Sequence, residues 1–455
     1  MNSARRHALL LFLLDGTSLV LAFNVLAWLR GISPAGHWLL LPLAGPLAFL
    51  AIALHLVDGY KDRTDMLSLD YTSLHTIAVA AATVATLLLT FAVIPANYPL
   101  QGSRLVILLG FGVTLLLTLG CRRMLHLRWL KRHRLRHLLY IGTRSDCEGF
   151  RNECAHHAFD RKVIFAIAGE NAEVPPTANV LEVRPIEDCL GAIQRGEIHV
   201  EAIVVPDASF ELPPELSDSL LGLYFSGVPT YTVELFHQIY WRKIPLIQLN
   251  QAWLFRDGFQ MAREPVFVRL KRLFDILISA LGLIIAAPLI LLCALAIRIS
   301  DGAPAFFRQW RLGRNRSRFI LVKLRTMREP VAGAAPLSDE ERITPIGRFL
   351  RATRLDELPQ LWNVLRGEMS LIGPRAEWEE LVGSYERQIP CYHFRHLVKP
   401  GITGWAQVNH PYGVTLENTV RKLEYDLYYI RHFSFVLDAS ILLKTVHIML
   451  FGKGR

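Results

Sequence analysis

Four apolar stretches, at roughly residues 8–29, 38–57, 74–94 and 104–121, each approach the ~20 residues that cross a ~30 Å hydrocarbon core. They predict a compact four-helix transmembrane bundle over residues 1–125. Basic Arg5-Arg6, Lys61 with Arg63, and the run after Cys121 fall at alternate ends, while the loops around Ser33 and Tyr98 are poor in charge. By the positive-inside rule both ends of the bundle face the cytoplasm. The N-terminus has basic residues and an apolar run without a small-residue cleavage site, which reads as a retained first span. Asp15 lies inside that span, and three readings stay open for it: a functional intramembrane acid, a site near the interface, or a partner within the bundle.

A hydrophobic share of 52% over 455 residues agrees with a chain partly in lipid and predicts two or three domains. The formal charge of +10 suits nucleic acid, anionic lipid or phosphate substrates. Its densest run, Arg122-Arg123, Arg128, Lys131-Arg132, Arg134 and Arg136, directly follows an apolar segment, and no nucleic-acid module accompanies it. The expected partner of that run is therefore membrane lipid, with no nucleic acid. Six cysteines without a CxxC pair read as reduced, and the scattered histidines, including His156-His157, suggest no zinc site.

From about His137 the pattern changes to short aliphatic runs alternating with amphipathic stretches. Leu138 to Gly142, Val163 to Ala168, Ala202 to Val205 and Val228 to Tyr231 read as strands, with helices around 145–157, 186–195 and 213–226. This predicts a Rossmann-like α/β domain over 137–250. Its first turn carries only Gly142-Thr143 and no GxGxxG, so a structural or regulatory role is expected rather than cofactor binding.

Residues 274–297 form a fifth apolar segment with basic flanks: Lys271 and Arg272 before it, Arg298, Arg308 and Arg311 after it. A straight span would place one basic flank outside. With Pro288 near its middle, the segment is expected to enter the cytoplasmic leaflet, turn at Pro288 and return. An ordinary fifth span is the competing reading. Beyond it, Lys323 and Arg325 sit in a β-like apolar run, Pro330 to Glu341 reads as a mobile loop, and Lys399 to Trp405 as a glycine-punctuated loop able to appose backbone to substrate. A helix is expected from about Leu416 to His432. Ala439 to Leu450, with Lys444 and His447, reads as an amphipathic stretch suited to a membrane interface.

The densest chemistry lies between the last two loops. Asp356-Glu357 follows Arg348, Arg351 and Arg354, which recur every three residues and on a helix would form a ridge able to meet phosphates. Pro359 disfavours helix at Leu358, so the acids are expected near a helix end or turn, with accessible side chains. Nearby guanidinium groups favour ionised Asp356. An aspartate in this setting can attack phosphorus and form an acyl phosphate, and Glu357 is suited to hold Mg²⁺. A solvated salt-bridge ladder is the bland alternative.

The stretch from Arg269 onward resembles the bacterial sugar transferases, the monotopic polyprenyl-phosphate phosphoglycosyl transferases. The matching pieces are KRLFDILIS from Lys271, FFRQWRLGRN from Phe306, LVKLRTM from Leu321, ITPIGRFLRATRLDELPQLWNVLRGEMSLIGPR from Ile343 and KPGITGWAQVN from Lys399, in family order. WEELVGSYERQIPCYHFRHLVKPGITGWAQVNHPYG and RKLEYDLYYIRHFSFVLD resemble most closely the members associated with exopolysaccharide loci and the PEP-CTERM sorting system. The resemblance implies a mainly α (α+β) catalytic domain over 265–455 with a re-entrant helix at 274–297, on the cytoplasmic face of the bacterial inner membrane. It implies that Asp356 attacks the sugar-bearing phosphate of a UDP-sugar, releases UMP, and passes the phosphosugar to undecaprenyl phosphate. It likewise implies that Glu357 binds magnesium and that Lys323, Arg351, Arg375 and Asp438 are active-site positions; Arg325 and Arg354 are added on charge grounds as substrate-binding residues.

Two departures stand out: Ala376 where the family usually has proline, which loosens the backbone after Arg375, and Ala287 before Pro288 where many members have serine. The transferred sugar is not legible, and the oligomeric state stays open, with a homodimer through the upstream domains leading. A glycosyltransferase releasing UDP and a membrane-anchored nucleotide-sensing scaffold are the rival functions.

Overall fold

The computed structural model describes residues 3–32, 38–60, 66–94, 99–132, 137–157, 159, 162–167, 183–205, 214–246, 265–302, 304–328, 339–410, 413 and 415–451. Most of the expected loop 330–341, and Lys61, Arg63, Arg134 and Arg136 of the orientation argument, lie outside these residues. Two compact units emerge: residues 1–133 with 435–447, and residues 134–434 with 448–455.

The first unit is built from α1 (Ser3–Leu29), α2 (Ala44–Leu56), α3 (Leu69–Leu88), α4 (Arg104–Arg132) and the first part of a C-terminal helix. Residues 6–29, 69–92 and 104–128 are long and apolar enough to cross a membrane, whereas the second stretch gives only the shorter apolar helix 41–56. Its shortness has a local cause. Pro42 opens a 3-10 turn at Leu41–Leu43, and the helix stops before Asp58, which takes a positive φ of 57°. The bundle core joins Leu19 and Phe23 of α1 to Leu50 of α2, Ala78 of α3 and Phe111 of α4.

Asp15 finds its partner within the bundle. Both its oxygens accept from the Arg122 guanidinium, the Nε contact at 3.1 Å, and Tyr60 donates to it at 2.9 Å. Arg122 is fully buried and also donates to the Gly59 carbonyl and the Tyr71 hydroxyl. Arg123 donates to Thr72 at 2.7 Å. The expected lipid-facing run thus begins with two arginines directed into the bundle, because α4 continues as helix past the apolar stretch and carries them back onto α1 and α3.

In the second unit, five parallel strands, β1 (His137–Gly142), β2 (Val163–Ile167), β3 (Val183–Pro185), β4 (Val200–Val205) and β5 (Thr230–Thr232), lie in the order β3-β2-β1-β4-β5. Helices α5 (Arg144–His156), α6 (Ile186–Gln194) and α7 (Pro214–Phe225) lie between strands, and α8 (Val233–Phe236) follows β5. Two apolar clusters cover the sheet, one holding Leu139, Ile141 and Ile203 and the other Leu138, Tyr140 and Val204. Alternate residues of β1 therefore serve opposite faces. Thr143 opens α5 in a capping box with Asp146 instead of a glycine-rich phosphate turn.

The remainder starts with α9 (Pro265–Asp301), a 37-residue helix with Pro288 inside it. The antiparallel hairpin β6 (Phe306–Leu312) and β7 (Arg318–Leu324) follows, then α10 (Asp339–Arg342), α11 (Pro345–Thr353), α12 (Gln360–Arg366), β8 (Ser370–Ile372), α13 (Glu379–Gln388), β9 (Gly401–Thr403), α14 (Trp405–Asn409) and α15 (Leu416–Arg431). The α/β part is fastened to α15: Lys243 is buried between Glu153 and Glu424, 3.1 Å from each, and Arg431 pairs with Glu234 at 2.7 Å.

Helix α16 (Phe435–Phe451) was expected to lie along an interface, yet Lys444 is buried and pairs with Asp70 of α3. A buried ammonium on this helix needs a carboxylate partner, and the bundle supplies it.

Candidate active site

The peptide that carries Asp356 is shaped by a helix end. Thr344 caps α11 through the Gly347 amide, Pro345 occupies its first turn, and Arg354 ends it in the left-handed conformation at φ 55°. A 3-10 turn, Leu355–Glu357, then presents both acids before α12 begins. The expected arginine ridge is thereby interrupted: Arg348 is exposed on α11, Arg351 sits in its last turn, and Arg354 turns away with the backbone. Gly347 is required because a Cβ there would come within 2.1 Å of the Thr326 carbonyl oxygen.

Asp356 is 8% exposed, less accessible than expected of a turn. Its carboxyl is pushed up to about 6, chiefly by burial and then by the neighbouring Glu357 charge, against the opposing pull of Lys323 and Arg351. Guanidinium groups alone would have lowered it; desolvation outweighs them. At neutral pH the carboxylate still predominates by about ten to one. Lys323, on β7, is itself pushed below the ordinary lysine range by burial and by Arg375, while Asp356 and Glu357 pull the other way. Glu357 lies 3.3 Å from the Arg375 guanidinium and 3.5 Å from that of Arg354.

Arg375 owes its place to a backbone crossing. β8 and β9 pair in parallel, Gly373 donates to Thr403 and Gly401 donates to Pro374, both at 2.9 Å. A Cβ on Gly373, Gly401 or Gly404 would meet opposing backbone at 2.3, 2.1 or 2.1 Å. The glycine loop at 399–405 therefore apposes its backbone to the Gly373–Arg375 segment, a structural use of the close approach expected for substrate. The carbonyl of Arg375 accepts from Arg395 at 3.1 Å. Ala376 is buried in the core beside Phe319 and Leu321, and its carbonyl accepts from Arg311 at 2.8 Å, so the missing proline does not leave this backbone untethered.

The family model for bacterial sugar transferases matches residues 266–452. Over 262 residues, 57% of this chain and 61% of the relative, the sequence is 34% identical to the UDP-N-acetylgalactosamine-undecaprenyl-phosphate N-acetylgalactosaminephosphotransferase of Aeromonas hydrophila. It is 40% identical to the UDP-glucose:undecaprenyl-phosphate glucose-1-phosphate transferase of Xanthomonas campestris pv. campestris over 44% of this chain and 42% of that protein. Over 41% of this chain it is 41% identical to the exopolysaccharide production protein PSS of Rhizobium leguminosarum bv. phaseoli, and covers 98% of it. The chain belongs to the bacterial sugar transferase family. It spans less than two thirds of the Aeromonas and Xanthomonas relatives, and the family model itself matches the C-terminal part.

Within this family member, the structure gathers Asp356, Glu357, Lys323, Arg351, Arg354 and Arg375 into one charged cluster. Arg325 is half-buried just past β7, its amide donating to Ala305, and is not among the main charges acting on Asp356 or Lys323. Asp438 lies on α16 in the portion grouped with the bundle. Sequence reasoning missed a supporting layer behind Arg375: buried Arg395 also reaches Asp426 at 2.9 Å and Glu377 at 3.4 Å. It missed Asn363 too, which joins α12 to β7 by accepting from the Val322 amide and donating to the Ile320 carbonyl. Neither residue belongs to a periodic pattern, and only its place within a family block marked it.

Among the described residues no group of three metal-ligating side chains assembles. Adjacent carboxylates nonetheless fit Mg²⁺, which is commonly held by one or two carboxylates plus substrate phosphates, and the Glu357 charge that raises Asp356 is one a cation would relieve.

Proposed function

We propose that this chain transfers a sugar-1-phosphate from a UDP-sugar to undecaprenyl phosphate and so initiates exopolysaccharide assembly. The observation that carries this reading is a buried Asp356 beside Glu357, with Lys323, Arg351 and Arg375 gathered around the pair. A carboxylate oxygen of Asp356 attacks the sugar-bearing phosphorus; the bridging P–O bond breaks, and UMP leaves with the electron pair. The resulting aspartyl phosphosugar is then attacked at phosphorus by an oxygen of undecaprenyl phosphate, which expels the carboxylate unchanged. Burial of Asp356 keeps water from the acyl phosphate. Lys323, Arg351 and Arg375 supply positive charge for the donor's diphosphate, and Arg354 helps hold Glu357. Glu357, with Asp356 beside it, would hold Mg²⁺, which when bound would neutralise diphosphate charge. The relatives named for UDP-sugars and undecaprenyl phosphate support this choice of donor and acceptor.

The same reading places the site on the cytoplasmic face of the inner membrane, with α9 re-entrant. Two observations support the re-entrant path of α9. Near one end of α9, Asp275 accepts from Ser370 and Leu371 at 3.1 and 3.0 Å; near the other, Ile297 packs with Leu324 and Leu350. The roughly twenty residues between them would span about 33 Å if straight, as much as a hydrocarbon core, yet both ends dock on the same fold. Along one side, Leu277, Leu281, Ile284, Leu291 and Leu295 remain exposed, at a spacing that forms a lipid-facing stripe.

Identification of the nucleotide product tests the reaction. Purified protein given UDP-sugars and undecaprenyl phosphate should release UMP; release of UDP would mean that the sugar moves without its phosphate.

A further inference from the structure

A cavity lined by charge lies apart from the Asp356 cluster. It encloses about 300 Å³ and is lined by Arg269, Lys271, Arg272, Arg314 and Lys399, with Asp275 the only carboxylate among the described lining residues. None of Lys323, Arg351, Arg354, Asp356, Glu357 or Arg375 lines it.

The lone acid is already engaged, since one Asp275 oxygen accepts both the Ser370 hydroxyl and the Leu371 amide. Arg272 is held by the Val364 and Leu365 carbonyls at the end of α12, the second at 2.7 Å. Lys399 stands next to it: a Cβ built on Gly367 would lie 3.3 Å from the Arg272 guanidinium and 3.6 Å from the Lys399 ammonium. Burial, and then Arg272, push Lys399 below the ordinary lysine range. Among the described residues, Lys399 donates no hydrogen bond and the buried Arg314 Nε has no partner. Among the described lining residues five cations surround one carboxylate, and Lys399 and the Arg314 Nε lack a hydrogen-bond partner there, the arrangement of an anion site.

Beside Ser370, the remaining described walls are the apolar Val268, Ile372, Val398 and Phe433. Just past Lys271 and Arg272 the exposed apolar side of α9 runs on through Leu273, Phe274 and Leu277. Charge therefore sits where the helix enters lipid, and apolar surface continues from it. An amphiphile with a phosphate head matches both features, whereas a soluble phosphate uses only the first.

We propose that this cavity binds the phosphate headgroup of an anionic phospholipid of the bilayer, with the acyl chains along the exposed side of α9. The site fixes the depth and tilt of the helix entry and requires none of the Asp356 chemistry. Native mass spectrometry of the full-length protein in detergent tests it, with phosphatidylglycerol and phosphatidylcholine as probes. Wild type should retain phosphatidylglycerol in preference to phosphatidylcholine. Lys399→Ala/Arg314→Ala should weaken that retention by about tenfold or more, from roughly 1 kcal/mol per basic residue.

Exposed Arg366→Ala is the control and should leave retention unchanged, and the single Lys399→Gln variant covers the case in which the double variant fails to fold. Equal retention of both lipids, or full retention by the variants, would overturn the proposal. So would displacement of the lipid by inorganic phosphate alone, or one-for-one by undecaprenyl phosphate, which would assign the cavity to free phosphate or to the acceptor. Failure of UMP release would leave the lipid measurement standing, so the two readings fail separately.

Discussion

The Arg375 guanidinium stands 3.3 Å from the Glu357 carboxylate, and the backbone that carries Arg375 is locked against Gly401, whose amide donates to Pro374 at 2.9 Å. The charged cluster thus depends on a crossing of two segments that only glycine permits. Gly401→Ala would drive a methyl group to 2.1 Å from the Gly373 nitrogen. Overpacking of this kind costs about 1–3 kcal/mol or more, so the variant should melt several degrees lower and lose activity. Gly383, in α13, has no heavy atom within 4 Å of an added Cβ, and Gly383→Ala should be neutral or gain up to about 1 kcal/mol. Thermal unfolding of the pair checks this; equal stability would contradict the crossing.

The pH dependence of turnover should expose the environment of Asp356. Its carboxyl is pushed up to about 6, and the ionised form is the nucleophile, so kcat/KM should fall as pH drops through about 6. Glu357→Gln removes a like charge and should move that acid limb to lower pH. Lys323→Met removes an opposing charge and should move it higher. Glu357→Gln should also change the magnesium dependence. An acid limb that stays fixed in both variants would show that another group controls it.

The Asp15–Arg122 pair makes a prediction about the bundle. Asp15→Asn or Arg122→Met leaves one buried charge without its counterpart, a loss of about 3–5 kcal/mol, while the double replacement should recover much of it. Unfolding in detergent by a double-mutant cycle measures the coupling. Additive losses would mean that the two groups act independently.

Much of this was legible in the sequence, for reasons that differ by element. The strands β1, β2 and β4 and the helices between them showed as alternating aliphatic and amphipathic runs, and the helical bundle showed through its apolar lengths. β3 escaped because three residues, Val183–Pro185, carry no period. Arg122 was read as a surface charge because a hydropathy pattern ends at a basic residue whether it faces lipid or a buried acid. α2 fell short through Pro42, a single residue inside the apolar stretch, and Asp58, which directly follows it. At the site, the turn at Pro359 was foreseeable, but the left-handed Arg354 and the burial of Asp356 came from packing, and so the direction of the Asp356 shift was misjudged. The layer of Arg395, Asp426 and Glu377 joins residues far apart in the chain, which no local pattern reveals.

The most direct test of the account is covalent trapping. Purified protein incubated with a UDP-sugar labelled in its sugar-bearing phosphate, without undecaprenyl phosphate, should retain label on the polypeptide and discharge it when the acceptor is added. Asp356→Asn should retain none. Label retained by Asp356→Asn, or a wild-type protein that makes product without ever carrying label, would contradict the central claim.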